Sequence, residues 1–404
     1  MNDPLYADGV DLAVVIIVIV KALFVFAMLL VSVLIMIWAE RKVVADMQNR
    51  VGPNRAGPFG VLQSLADGIK LFFKEQSIPA AADRPVFRLA PYLSVLPAFL
   101  AFSVIPLGGE FEVPFTDKRT ILQLADLPIG VLFVLAMSGL GVYGVLLAGW
   151  SSGSKYPLLG SVRASAQMVS YEAALGLGII GAVVQAGTLS TWEIIRTQGF
   201  PGTNPLDWFV LPAIGPFVIF CIAAVAETNR APFDLVEAEQ ELVGGFHTEY
   251  TGIRFAMFFL AEYMNMVTQA GIAVTLFLGG PSGPGIPVLP APVEGVLWFI
   301  LKVSVFMFGY IWLRASLPRL RYDQLMDFGW KVLIPAGLLW LGVSSVFVIA
   351  RQEGWPPLVY VPAAALGAAL VYGVLYLSMP KRSEAPDAME VFPERGTSRE
   401  EATP

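Results

Sequence analysis

Residues 12–38 read LAVVIIVIVKALFVFAMLLVSVLIMIW, with Lys21 as their single charge. Roughly 20 consecutive apolar residues cross the hydrocarbon core of a bilayer as a helix. This stretch is longer than that and can span with some tilt. It also exceeds the apolar core of a secretory signal, about 7–15 residues. Met1-Asn2-Asp3-Pro4 places no basic residue in front of it. It reads as an uncleaved first span.

Working outward, eight more apolar segments follow at 88–107, 127–149, 166–187, 207–226, 251–279, 293–313, 331–350 and 357–378. The predicted fold class is an all-α polytopic membrane protein. The composition agrees: 56% of the 404 residues are hydrophobic and 14% are charged, against about 25% charge in a soluble domain. That excludes a soluble globular enzyme, a disordered chain and a nucleic-acid binder. One Cys (Cys221) and one His (His247) leave no ligand set for an iron–sulfur cluster, a haem or a Cys/His zinc site. Hence no redox centre, metal site or catalytic residue is expected in this chain alone. Residues 380–404 are polar, rich in Glu, Ser, Thr and Pro, and are expected to form a disordered tail.

Lys and Arg set the orientation. Of the 26, 20 fall in the odd-numbered loops and the tail, 4 on the opposite side, and Lys21 and Lys302 within spans. The N-terminus is therefore predicted outside and the C-terminus cytoplasmic. Lys21 lies in a span long enough to let it snorkel outward, so it is set aside as a functional candidate.

Two loops break the pattern of simple connectors. Loop 39–87 opens on Glu40-Arg41-Lys42 and continues through Arg50-Val51-Gly52-Pro53-Asn54-Arg55-Ala56-Gly57-Pro58. Such Gly/Pro density forbids a continuous helix. Residues 61–76 then alternate as an amphipathic helix: Gln63, Asp67, Lys70 and Lys74 on one face, Leu62, Leu65, Ile69, Phe72 and Phe73 on the other. Two readings stand, an interfacial lipid anchor or one wall of a gap that admits an amphiphile from the bilayer; Asp67 favours the second. Loop 227–250 carries Glu227, Asp234, Glu237, Glu239, Glu241 and Glu249 against Arg230. Glu172 and Glu262 lie inside spans. Carboxylates held out of water or crowded together favour their protonated form, which suits proton transfer, and ionisable groups within a membrane default to a functional role. Lys302, near mid-depth, is expected to face a carboxylate or a wet cavity. His247 and Cys221 read as ordinary packing residues.

The run Glu40-Arg41-Lys42 to Gly52-Pro53-Asn54-Arg55, with Gly57-Pro58, Leu62-Gln63, Ala66-Asp67, Lys70 and Lys74-Glu75, resembles the first cytoplasmic loop of one membrane-subunit family. That family is the H subunit of NADH-quinone oxidoreductase, the bacterial counterpart of mitochondrial complex I subunit one. Residues 226–250 resemble its second signature. Arg314-Ala315, Pro318-Arg319 and Arg321-Tyr322-Asp323-Gln324-Leu325 resemble a third. The resemblance covers about residues 10–350. It implies a membrane subunit of proton-pumping respiratory complex I in the bacterial inner membrane, at the junction with the peripheral arm. Its partners would be the hydrophilic quinone-site and iron–sulfur subunits, small membrane subunits and lipid. Ubiquinone or menaquinone would be the substrate, with FMN and iron–sulfur clusters in the partner subunits. The first span, the amphipathic helix and the sixth span would frame quinone access, with Glu40, Arg41, Arg50, Asp67 and Lys70 as channel residues. Glu172, Glu227, Glu237, Glu239, Glu241 and Glu262 would begin the proton-coupling axis, with Lys302 beside it.

The chain departs from the family in Ser64 after Gln63, in Ala238 between two glutamates, and in the ninth segment. Residues 1–350 are thus predicted as the family's membrane domain with an eight-helix core, 351–379 as an added transmembrane helix, and 380–404 as the tail. Two alternatives remain at this level. A secondary transporter fits the spans and buried acids but not the Gly/Pro turn, the interfacial helix or the acidic loop. The matching subunit of a membrane-bound hydrogenase differs only in its partners and electron donor.

Overall fold

A computed structural model describes residues 3–6, 9–114, 116–201, 204–234, 243–285 and 290–378. In chain order its helices are α1 (Leu12–Met47), α2 (Gln63–Phe73), α3 (Arg84–Phe102), α4 (Gly130–Ser151), α5 (Lys155–Ala186), α6 (Thr191–Thr197) and α7 (Ile214–Glu227). Then come α8 (Ile253–Phe277), α9 (Ala291–Ser316), α10 (Tyr322–Phe328), α11 (Ile334–Gln352) and α12 (Pro357–Ser378). Between α3 and α4, β1 (Glu110–Glu112) pairs antiparallel with β2 (Arg119–Ile121), Phe111 opposite Thr120.

Each of the nine predicted apolar segments falls on a helix. Six stretches are long and apolar enough to cross a membrane by length and composition, among them α1, α3, α4 and α5. The chain is an all-α polytopic membrane protein. α7 is apolar but only 14 residues long. α8 has the length, 25 residues, but Arg254, Glu262, Asn265 and Gln269 dilute its hydropathy.

Lipid-facing and core-facing residues separate cleanly on α1. Ile16, Val20, Leu23 and Ile35 are exposed, whereas Val25, Leu29, Val33 and Met36 are buried in the main core. Apolar tails compete equally with apolar side chains in a bilayer, so helices associate by close packing, which small residues allow. A Cβ on Gly144 of α4 would lie 2.2 Å from Ser94 Oγ of α3, and one on Gly149 the same distance from Ser161 Oγ of α5. These two glycines let α4 seat tightly between its sequence neighbours.

α2 follows a turn fastened to α1: Trp38 Nε1 donates to Phe59 O at 3.0 Å, and Lys42 Nζ to Asn54 Oδ1 at 2.6 Å. Its apolar face stays open, with Phe73 87% exposed. α1, α4, α7 and α9 end, and α3, α5, α8 and α11 begin, at the end of the bundle that carries the Lys- and Arg-rich loops, hereafter the basic end.

Lys21 does not snorkel. Its Nζ lies 2.9 Å from Asp3 Oδ2 and 2.8 Å from Thr120 Oγ1, all three residues being buried. The N-terminal turn folds back over α1, and β2 closes over it. A buried ammonium that finds a carboxylate need not reach for water.

Candidate functional site

Four segments distant in sequence converge at the basic end. α1 continues past the apolar run to Met47, because Glu40 and Arg41 stay helical while Gly52 and Pro53 come later. Glu40 therefore points inward and is buried. Its Oε1 accepts from Arg314 of α9 and lies 3.4 Å from Arg230 Nη1. Its Oε2 accepts from Tyr263 Oη of α8 at 2.6 Å. Arg230 Nε lies 3.0 Å from Glu262 Oε1, and its guanidinium stacks over the Tyr263 ring at 4.4 Å. Planar guanidinium suits such a site, since it binds carboxylate at its edge and an aromatic ring at its face. Arg230 follows the end of α7, and its neighbour Arg314 closes the last turn of α9, so helix packing brings both cations to one carboxylate.

A second carboxylate lies deeper. Glu227, the last residue of α7, is 6% exposed. Its Oε1 accepts from Ser138 of α4 and, at 3.1 Å, from Gln269 Nε2 of α8. Its Oε2 has no protein hydrogen-bond partner among the described residues. Glu227 and Glu262 line one small cavity. Glu172 of α5 reaches the next position on α4, its Oε1 3.1 Å from where a Cβ on Gly139 would sit. A polar line thus runs from Glu40 through Arg230 to Glu262, then Glu227, Ser138 and Glu172.

The predicted channel residues divide into three groups. Arg41 Nη1 pairs with Asp67 Oδ2 at 2.6 Å, and Lys70 Nζ lies 3.5 Å from Asp67 Oδ1, so these three meet at the α1–α2 junction. Asp67 is partly desolvated, which pushes its carboxyl up. The Arg41 hydrogen bond and charge, helped by Lys70 and Gln63, outweigh this and hold it below the ordinary 3.8. Glu40 turns away into the Arg230–Arg314 cluster. Arg50 is exposed and donates to Gln48 at 2.7 Å. Glu237, Glu239 and Glu241 lie outside the described residues.

Lys302 meets backbone carbonyls rather than a carboxylate. Its Nζ donates to the carbonyls of Leu278, Gly280 and Ser282 at 2.6, 2.9 and 2.6 Å and lies 4.2 Å from the Trp208 ring centroid. It caps the carbonyl end of α8, where the helix dipole favours a cation. The carbonyls come from a Gly/Pro-rich turn that the sequence leaves conformationally open, so this partner set was not foreseeable.

Two apolar cavities flank α9. One, about 260 Å³, lies beside α1 and is walled by Met36, Ala39, Val43, Phe299, Met307 and Ile311, with Val267 of α8. Its walls come mainly from α1, α8 and α9, and no residue of α2 lines it. Ala39 and Val43 flank Glu40 on α1, while Glu40 and its arginines are not among the residues that line this cavity. The other, about 850 Å³, lies between α7, α8 and α9, with Phe220, Phe233, Gln269, Phe306, Tyr310 and Leu313 in its walls. No group of three or more His, Cys, Asp or Glu among the described residues is arranged to hold a metal ion. Arg230, Tyr263 and Arg314 were not legible in the sequence as partners of Glu40; two unusual arginines at span ends were the available signal.

The NADH dehydrogenase family matches residues 20–345 of the chain. Two similar proteins are each named as the H subunit of NADH-quinone oxidoreductase, from Frankia alni (strain DSM 45986 / CECT 9034 / ACN14a) and Frankia casuarinae (strain DSM 45818 / CECT 9043 / HFP020203 / CcI3). Each is 57% identical over 339 residues, covering 83% of this chain and 74% of the relative. The residues matched by the family take in the whole charge cluster, and the chain belongs to the family of NADH-quinone oxidoreductase H subunits.

Proposed function

We propose that this chain is the membrane subunit through which a proton-pumping NADH:quinone oxidoreductase admits quinone and couples its reduction to proton translocation. It sits in a bacterial inner membrane, N-terminus outside and basic end cytoplasmic, against hydrophilic quinone-site and iron–sulfur subunits and small membrane subunits. Lipid surrounds it. The chain brings no redox centre; electrons come from FMN and iron–sulfur clusters in its partners.

One observation carries this reading. An apolar cavity runs along α1 and α9, with Ala39 and Val43 of its wall flanking in sequence a buried carboxylate held by two arginines, and a polar line departs from that carboxylate into the bundle. The apolar walls suit an isoprenoid tail. Reduction of a quinone to quinol consumes two electrons and two protons. Uptake of negative charge or loss of protons near Glu40 alters the field at Arg230, and Arg230 is shared with Glu262. Glu262 and Glu227 then shift their protonation in turn. Moving one charge against 100 mV costs about 2.3 kcal/mol, and each tenfold change in proton affinity is worth about 1.36 kcal/mol. A change of two such steps on one or two acids is therefore sufficient in scale. The predicted coupling residues Glu237, Glu239 and Glu241 belong to this proposal as further members of the relay.

Purification in mild detergent tests the assignment. The chain is expected to co-purify with iron–sulfur and flavin-bearing subunits. A photoreactive quinone is expected to label residues between Met36 and Met307. A stable lone monomer, with labelling elsewhere, contradicts it and favours a transporter.

A further inference from the structure

We propose that the cavity between α7, α8 and α9 is a binding site for one acyl chain of an anionic phospholipid, with the lipid phosphate at Arg319 and Arg321. The inference needs only that the chain lies in a bilayer. It is independent of the quinone and proton reading above.

The length of the cavity carries the argument. On α9 its wall runs from Val305 to Leu317, about 18 Å at 1.5 Å per residue. Half of a bilayer's hydrocarbon core is about 15 Å. The cavity thus reaches from the basic end to mid-depth. There it stops at Leu278, whose carbonyl accepts from Lys302 Nζ. An acyl chain of the leaflet at the basic end has that reach. A transmembrane helix does not fit: it needs the whole core and fills on the order of 2,000 Å³ as a cylinder about 10 Å wide. The volume of about 850 Å³ falls instead among small-molecule sites, which run to about 300–1,000 Å³.

The walls select hydrocarbon. Phe220, Ala273, Phe306 and Leu313 present carbon to the space, and Gln269 and Tyr310 are among its few polar members. A bound water needs two to four polar partners, so water gains little here. An empty apolar space forfeits the dispersion contacts of its lining. The cavity opens sideways: Val305 is 65% exposed and Leu317 46%, and Gln324 at the basic end is exposed. A chain can therefore enter from the bilayer. Gln269 lies in the inner wall and donates to Glu227 at 3.1 Å, so an occupant borders the carboxylate site from its apolar side.

The rim supplies the charge. Leu320 lines the basic end of the cavity, and Arg319 and Arg321, on either side of it in sequence, are exposed. Arg314 is engaged with Glu40, and Lys331 with Asp327, whereas neither of these two arginines has an ion pair among the described residues. Asp323 follows them as a single acid. Guanidinium forks match phosphate oxygens two at a time. Basic pockets between membrane helices bind anionic headgroups in this way.

The test uses the whole respiratory assembly. Gly309 lines the cavity, and a Cβ added there meets nothing within 4 Å. Gly309→Leu therefore puts a side chain into the space without moving the backbone. Gly176 of α5 has the same freedom and lies outside this cavity, so Gly176→Leu controls for the loss of a helical glycine. Phospholipids retained after detergent washing are counted by mass spectrometry, and density maps are compared. The expected result is an elongated density along α9 that ends at Arg319 and Arg321. Gly309→Leu should hold one phospholipid fewer than wild type or Gly176→Leu. Delipidated wild type should regain its melting temperature with vesicles of phosphatidylglycerol and not with vesicles of phosphatidylcholine. The double variant Arg319→Gln with Arg321→Gln should lose that preference. A wild-type cavity that holds a partner's side chains, a quinone or nothing overturns the inference, whatever the variants do. An unchanged lipid count in Gly309→Leu, or equal recovery of wild type with both lipids, overturns it too.

Discussion

Tyr263 Oη donates to Glu40 Oε2 at 2.6 Å, joining α8 to α1 across 223 positions of sequence. The bond holds the carboxylate so that its other oxygen faces Arg314 and Arg230. Tyr263→Phe removes one hydrogen bond to a charged acceptor, worth about 1.5–3 kcal/mol. The expected outcome is an assembled complex with slower quinone reduction. An assay on membranes with a short-chain quinone, beside a subunit count on a native gel, checks it. Unchanged turnover would show that the hydroxyl does not matter to the site.

Arg230 faces Glu40, Glu262 and the Tyr263 ring together. Arg230→Ala leaves two acids without their shared cation, and breaking a buried pair this way costs about 3–5 kcal/mol. The subunit is expected to fail assembly or to lose thermal stability sharply. Arg230→Lys keeps the charge but not the fork or the stacking and is expected to assemble with impaired activity. Thermal scans of the detergent-solubilised assembly read both.

The fold was largely legible, and the pairings were not. Each apolar run fell on a helix, and six stretches among the described residues are long and apolar enough to cross, because a bilayer sets both the length and the composition of whatever crosses it. Boundaries slipped where polar residues prolong a helix beyond the hydrocarbon: α1 runs on to Met47, and α5 begins at Lys155 rather than near 166. The β1–β2 hairpin was missed because its two strands have three residues each. Glu40 and Asp67 stood out in the sequence, yet their partners did not. Glu40 and Arg314 are 274 positions apart, and only tertiary packing decides which buried cation meets which acid. Lys302 shows the same limit more plainly, since its acceptors are backbone carbonyls with no sequence signature.

Lys21 and Asp3 form a second buried pair, far from the basic end. Lys21→Met strands Asp3, so a loss of about 3–5 kcal/mol is expected. Adding Asp3→Leu to it should recover much of that, because replacing both charges with apolar groups is often neutral. Quinone reduction per assembled complex should stay at the wild-type level in the double variant. A double-mutant cycle of melting temperatures decides; additive losses would dissolve the pair.

Lys302→Met uncaps three carbonyls at the end of α8. With this lysine in a structural role, the variant should melt earlier while the pH profile of its remaining activity keeps the wild-type shape. A shifted profile would return Lys302 to the proton relay.

Asp67 supplies a pH dependence. Its carboxyl titrates below the ordinary 3.8 in the folded chain, through Arg41 above all. A depressed folded value means its contribution is present above the unfolded value and is lost as pH falls through the folded one. The α1–α2 contact should therefore hold at neutral pH and loosen only below about 4. Spin labels on α1 and α2 measure the separation against pH. Asp67→Asn should show the looser separation throughout.

The most direct test of the whole account is the number of protons pumped per quinone reduced by Glu227→Gln in reconstituted vesicles. Glutamine preserves the shape and the Ser138 and Gln269 contacts but carries no titratable proton. The account predicts an assembled complex whose pumping is lost or strongly reduced. A wild-type proton-to-quinone ratio at wild-type turnover would contradict it.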